Sequence, residues 1–356
     1  MKEVVLGGLG QLLRRGPLCG IAQRYFEERA SVVFYHGVWN ESARLRLFGG
    51  VSTSEFEAHL RRLKSFFHIL PLSQVIEVSR EGRKTKRPVL AVTFDDGFDL
   101  TTGGATEVMD RLGIKGTVFV NTACLTGRHL LWMHMFSVIQ AKRGSQTLLT
   151  EINRVQAKYQ DGRTLSSLSD LIAATRAWPQ GDKDHWAAAI WGGARMESLE
   201  TFLNENRPYF SIEGLRDWTK RGHEVGFHTH SHPFCSQLTD ALWESEILRP
   251  LSAFKAAINA DQIAFAYPFG DRSPPKHEAK LRDLSIFTAL MGTGGFSKKG
   301  EDLAAMERVQ AEDGVNLEVF GKPLVRAYKQ KLSRRFGHSS VASESKGDRY
   351  RVGRLP

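Results

Sequence analysis

The run Val89-Leu90-Ala91-Val92-Thr93-Phe94 is short, apolar and rich in β-branched residues, and it stops abruptly at Asp95-Asp96-Gly97. Such a run bounded by turn residues predicts a buried strand. Downstream, Ala105, Val108, Met109 and Leu112 recur at helical spacing, so strand, turn and helix make one β-α unit. The two carboxylates then stand at the C-terminal end of a strand. There an α/β scaffold fixes reacting groups while leaving them open to the loops. Read alone, Asp-Asp-Gly is more simply an ordinary turn.

A second strand-like run, Glu224-Val225-Gly226-Phe227, leads into His228-Thr229-His230-Ser231-His232-Pro233. His228 and His232 are four residues apart, which sets two imidazoles on one side of a tight turn. Imidazole together with carboxylate is a usual ligand set for Zn²⁺ and related divalent ions. Adjacent aspartates at a strand end point in different directions, so one can bind a cation while the other takes a proton, as metal-assisted hydrolysis requires. Thr229 and Ser231 are expected to orient the ring nitrogens that face away from a metal, and His230 to face away or touch substrate. A histidine pair without this context is more simply a solvated or core pair.

The ordered motifs resemble those of the polysaccharide deacetylases of NodB-homology type, carbohydrate esterase family 4. Thr93 to Gly97 is similar to the first motif of that family, His228 to His232 to the second, and Phe265-Ala266-Tyr267-Pro268-Phe269-Gly270 to the third, within a likeness running from about Val32 to Val309. The resemblance implies a distorted (β/α) barrel with fewer than eight units. It also implies Asp95 as general base and Asp96, His228 and His232 as ligands of one divalent metal, Zn²⁺ foremost with Co²⁺ or Ni²⁺ as alternatives. Tyr267, Pro268 and Phe269 become candidates for contacting substrate or its oxyanion. Many members open the third motif with an arginine that orients the base, but this chain has Phe265 there. Arg308, in Glu307-Arg308-Val309, is the candidate replacement, the alternative being a surface arginine. The histidine of the usual late acid motif is also missing, since none occurs between His277 and His338. His36, ending the apolar run Val32-Val33-Phe34-Tyr35, is the candidate general acid; the alternative is a histidine that caps the strand.

The resemblance further implies hydrolysis of an N-acetyl group. Asp95 would deprotonate a metal-activated water, and a backbone N–H near Pro268-Phe269 would meet the oxyanion. His36 would protonate the departing sugar nitrogen. The substrate class expected is an N-acetylated glycan or lipid-linked saccharide of a bacterial exopolysaccharide or cell surface. Two other classes stand beside it: another metal-dependent amide or ester hydrolase, and a catalytically silent glycan-binding relative.

The 356 residues are 41% hydrophobic and 25% charged, which suits a soluble globular chain with a substantial core. We expect an N-terminal extension over 1–30, the α/β domain over 31–325 and a basic, partly disordered tail over 326–356. An early helix should bury Phe56, Leu60, Leu63 and Phe67. After the strand-like Thr117-Val118-Phe119-Val120, about a hundred residues pass before the next strand, too many for a βα connection, so a helical insertion is predicted over about 126–207. Such a segment could serve as a lid, with Trp132, Trp186 and Trp191 either packing into a core or offering flat surfaces to sugar rings.

A net charge of +10 favours anionic partners, among them acidic glycans, lipid phosphates and membrane surfaces. No nucleic-acid module is recognisable, which argues against specific nucleic-acid binding. Cys19, Cys124 and Cys235 are odd in number and widely spaced, which argues against a disulfide framework and suits a reducing compartment. Glycines and Arg14-Arg15 interrupt the apolar residues of Met1 to Gly20, leaving neither a signal-peptide core nor a membrane span. The expectation is a cytoplasmic protein, with a peripheral hold on the inner membrane face open through this segment and the basic tail.

Overall fold

The computed structural model describes residues 17–43, 50–159 and 164–312. The basic tail and Met1 to Gly16 lie outside them.

The strands, in chain order, are β1 (Arg29–Tyr35), β2 (Val38–Trp39), β3 (Val51–Ser52), β4 (His68–Ile69), β5 (Val89–Phe94), β6 (Gly116–Val120), β7 (Glu224–Phe227), β8 (Ile263–Ala266), β9 (Phe287–Gly292), β10 (Ser297–Lys298), β11 (Met306–Glu307) and β12 (Val309–Gln310). The longer ones pair in the order β1-β5-β6-β7-β8-β9, all parallel, with helices in the connections. A single short segment then joins the two edges. Met306 and Glu307 pair with Met291 and Gly292 of β9, whereas Val309 and Gln310 pair with Val33 and Phe34 of β1. Arg308 stands at the crossover and donates its backbone N–H to the Gly292 carbonyl, 3.1 Å away. The sheet is thus drawn into a nearly closed, distorted (β/α) barrel, as expected.

Two-residue periodicity sorts the side chains of this barrel. Val33, Leu90, Val92, Val118, Phe265 and Leu290 pack outward in one cluster with the surrounding helices. Val32, Ala91, Phe119, Ala264, Ala266, Ala289 and Met291 make a second cluster on the opposite side of the strands. Much of that interior is alanine, which leaves room for larger polar groups above it.

Helix α1 (Pro17–Glu27) precedes β1. Helix α2 (Thr53–Phe66) opens with a capping box, in which the Ser52 hydroxyl accepts from Glu55 N–H and the Glu55 carboxylate accepts from Ser52 N–H, and it buries Phe56, Leu60 and Leu63 as the spacing predicts. Helix α3 (Leu72–Arg80) packs against β1 and β5, and α4 (Ala105–Leu112) buries Ala105, Val108, Met109 and Leu112. Between β6 and β7 come α5 (Trp132–Arg143), α6 (Ser145–Tyr159), α7 (Leu171–Arg176), α8 (Lys183–Gly193) and α9 (Leu199–Asn206). They form a core of their own, which Phe98, Tyr209 and Phe234 join to the barrel loops. Trp132, Trp186 and Trp191 are 1%, 3% and 4% exposed, so they pack into this core and offer no flat face to a sugar. Helix α10 (Ile212–Lys220) leads to β7. After β7, α11 (Asp240–Trp243) and α12 (Arg249–Ile258) flank a π-helical stretch, Glu244–Leu248. Helix α13 (Pro275–Asp283) follows β8.

Candidate active site

The ends of β1, β5, β7, β8 and the crossover at Arg308 meet at one mouth of the barrel. Asp95 continues the inward phase of Ala91 and Thr93, and its backbone N–H donates to the Tyr35 carbonyl at 2.8 Å. The chain then turns through left-handed backbone at Asp96 (φ 68°) and Gly97 (φ 71°). A non-glycine residue in that region is strained, and Thr229 (φ 67°), His232 (φ 60°) and Phe269 (φ 57°) share the condition. Four of the eight left-handed non-glycine residues among the described residues thus stand where the three motifs converge.

Asp96 Oδ1 lies 3.2 Å from His232 Nε2 and 3.6 Å from His228 Nε2. All three residues are buried, and their ligand atoms lie within 4.8 Å of one another. Asp96 Oδ1 is a buried carboxylate oxygen without a hydrogen-bond donor, an arrangement that costs free energy unless a cation meets it. His228 Nδ1 takes the Ala266 carbonyl at 2.7 Å, which fixes the proton on Nδ1 and turns the Nε2 lone pair toward Asp96. Burial, only partly offset by Asp95, pulls the His228 pKa down to about 4, so the ring is neutral, as a ligand must be. The donor set fits one divalent ion.

Asp95 lies next to this set, its Oδ2 4.0 Å from His228 Nε2. Arg308 holds it through both oxygens, and the guanidinium is sandwiched between the rings of Phe34 (4.8 Å) and Phe119 (5.0 Å). Burial pushes the Asp95 pKa up, but Arg308 and His228 outweigh it and hold the carboxyl below its ordinary value. His36 is 13% exposed. Its backbone N–H and its Nδ1 both reach the Glu312 carboxylate, at 2.6 and 3.0 Å. Burial alone would depress that imidazole, yet Glu312, with Asp96 and Asp95 behind it, raises the pKa to about 10. His36 therefore carries a proton at neutral pH.

The polysaccharide deacetylase family model matches residues 197–284, which include His228 to His232 and Phe265 to Gly270. No match is found among curated protein sequences. The fold is similar to that of the Streptococcus pyogenes deacetylase PplD, solved in complex with acetate, with 12% identity, TM-score 0.50 and coverage of 82% of this chain and 98% of that one. It is likewise similar to IcaB from Ammonifex degensii, with 17% identity, TM-score 0.50 and coverage of 84% and 96%. The fold is that of solved polysaccharide deacetylases, and the family match covers the stretch that carries the second and third motifs.

Several details of this site depart from what the motifs suggested. Phe265 and Tyr267 share one phase, packing edge to face at 4.7 Å in the outer layer with Phe227 and Phe287. An arginine at 265 would thus point at the helices, and Tyr267 does not line the mouth. Phe269 does, with its ring edge-on to His232 at 4.6 Å and stacked on Phe234 at 4.4 Å, while Pro268 is buried. Neither Thr229 nor Ser231 orients a ligand ring: Thr229 Oγ1 accepts the His232 backbone N–H, and the ring of His228 is held by Ala266 instead. Ser231 is gripped by Glu246, which accepts from both its N–H and its hydroxyl, and by the Lys183 ammonium. Glu246 sits in the π-helical stretch, whose widened turn also aims its carbonyl at the His230 N–H. His230 turns aside, with its Nδ1 2.8 Å from Thr122 Oγ1.

Glu312 and His134 escape sequence reasoning. Glu312 pairs with a residue 276 positions away and belongs to no motif. His134 lies in α5, and its Nε2 meets Asp96 Oδ2 at 3.1 Å. The one available signal was a single ionisable residue inside the otherwise charge-free run Leu130 to Ile139.

Proposed function

We propose that this protein is a metal-dependent deacetylase that hydrolyses N-acetyl groups of amino sugars in a bacterial polysaccharide or cell-surface glycan. One observation carries the reading: the buried, donor-free Asp96 Oδ1 converges with two imidazoles beside an arginine-clamped Asp95, in a chain of deacetylase fold. Asp96, His228 and His232 would hold the ion, Zn²⁺ foremost with Co²⁺ or Ni²⁺ as alternatives. When bound, such an ion supplies Lewis acidity, lowering the pKa of a water and polarising a carbonyl.

The chain's own residues divide the remaining work. Asp95, kept ionised and fixed in direction by Arg308, accepts the proton of the attacking water. His36, protonated and oriented by Glu312, donates a proton to the departing sugar nitrogen, releasing acetate and a free amine. Near the third motif, Pro268 has no N–H, and those of Gly270 and Asp271 are committed to the Tyr267 and Pro268 carbonyls. We therefore assign the oxyanion contact to the Phe269 amide.

The Arg308 clamp weighs against a silent glycan-binding relative, because it supplies the orientation that the missing third-motif arginine would have given. The substrate is an N-acetylated glycan or lipid-linked saccharide, and the +10 charge suits the phosphates of a lipid carrier at the inner membrane face. No helix among the described residues is long and apolar enough to cross a membrane.

The test is acetate release from N-acetylglucosamine oligomers and lipid-linked glycans by metal-stripped protein, before and after Zn²⁺, Co²⁺ or Ni²⁺ is added, beside Asp95→Asn. Metal-restored release that Asp95→Asn loses supports the proposal. Metal binding without release from any N-acetyl substrate sinks it in favour of another metal-dependent amide or ester hydrolase.

A further inference from the structure

Helix α5 enters the barrel mouth from the inserted helices, and two of its side chains end on the candidate ligand set. Trp132 Nε1–H donates to the His232 carbonyl at 3.1 Å. Two residues on, His134 is fully buried, with its Nε2 3.1 Å from Asp96 Oδ2. A carboxylate oxygen can only accept, so Nε2 carries the hydrogen and Nδ1 is left as an acceptor. The Tyr209 hydroxyl, 2.6 Å away, donates to it and in turn accepts the Leu131 N–H at 3.2 Å. Each donor in this chain of bonds meets an acceptor. Phe98, immediately after the first motif, stacks on the imidazole at 4.7 Å and fixes its plane.

The two oxygens of Asp96 are consequently unlike. Oδ2 is engaged by His134, whereas Oδ1 has no donor and faces His228 and His232. We propose that His134 is a positioning residue for the metal: by holding Oδ2 it turns Asp96 so that a single oxygen is presented to the ion, making α5 part of the metal-binding apparatus. This rests on the metal reading of Asp96, His228 and His232, and extends it to a segment that the sequence suggested as a lid. A histidine that merely satisfied a buried carboxylate would change stability but not metal affinity at equal stability. Partners that orient a ligand typically alter metal affinity about 10–100-fold.

Zn²⁺ binding by calorimetry to the metal-stripped full chain distinguishes these roles. His134→Gln keeps an N–H that can reach Asp96, and His134→Met fills similar space without a donor; melting of the metal-free proteins is followed alongside. The expected result is Zn²⁺ binding about 10–100-fold weaker in His134→Met and close to wild type in His134→Gln, with the two metal-free variants melting alike. Wild-type affinity in a folded His134→Met overturns the proposal. Should that variant not fold, Tyr209→Phe decides: weakened Zn²⁺ binding supports the positioning role and unchanged binding removes it. A wild-type chain that binds no Zn²⁺, or whose binding survives Asp96→Asn, overturns the underlying metal reading instead.

Discussion

Arg308 and Asp95 meet as a two-pronged pair, Nη1 to Oδ1 at 2.6 Å and Nη2 to Oδ2 at 2.9 Å, with the arginine wholly shielded from solvent. Removing one partner strands the other charge in the interior, which costs about 3–5 kcal/mol. Arg308→Met should therefore lower the urea midpoint steeply. Asp95→Asn with Arg308→Met should cost less than the two single changes added together, because the pair is lost as a unit. Additive costs in a double-mutant cycle would show that the contact is not coupled.

Glu312 should set the alkaline limit of activity. An acid must be protonated to act, so activity falls as pH rises through its pKa. Burial depresses His36, but Glu312 more than compensates and holds it at about 10. Glu312→Gln removes the largest raising influence and should move the alkaline limb of the kcat/KM profile to lower pH, toward the ordinary histidine value of about 6.5. A limb that stays in place would separate His36 from proton donation.

A histidine remote from the mouth should govern acid stability. His223 is stacked on Trp218 at 3.9 Å and accepts the Gly116 N–H at Nδ1, and burial followed by Lys115 lowers its pKa to about 4. Between that value and the ordinary 6.5 the unfolded chain holds a proton that the folded chain lacks, so stability rises with pH in this window. The fold should lose about 2 kcal/mol as pH drops from 6.5 to 4, and His223→Gln should flatten that slope in chemical denaturation.

Gly226 is held to glycine by a close approach and not by its dihedral angle. A Cβ there would run into the Phe119 ring and approach the Ala264 carbonyl at 3.0 Å. The Phe119 ring is one wall of the Arg308 sandwich, so the intrusion is felt at the base as well. Gly226→Ala should cost about 1–3 kcal/mol in denaturation and lower kcat more than it raises KM. Wild-type stability would mean that the ring has room to yield.

Much of this architecture is legible in the chain because it is local. The Val89 to Phe94 run, the Phe56-Leu60-Leu63 stripe and the histidine turn each carry their own periodicity or punctuation, and each forms as its pattern predicts. What the sequence conceals is long-range. Nothing near Glu312 marks a partner at residue 36, and His134 lies on a helix whose first two turns are buried all round, so no amphipathic face announces which side meets Asp96. Strand phase explains a subtler miss: Phe265 and Tyr267 belong to a motif, yet alternation turns both side chains away from the mouth.

The five residues from Met306 to Gln310 give the molecule an order of assembly. They bridge the first strand and the last long one, and Arg308 sits in the middle of the bridge. During synthesis the candidate metal ligands have all left the ribosome well before this bridge is made, but the base clamp and the Glu312 support of His36 have not. The candidate metal ligands thus lie wholly in the chain that precedes the bridge, whereas the contacts that orient Asp95 and His36 are completed only when the ring closes.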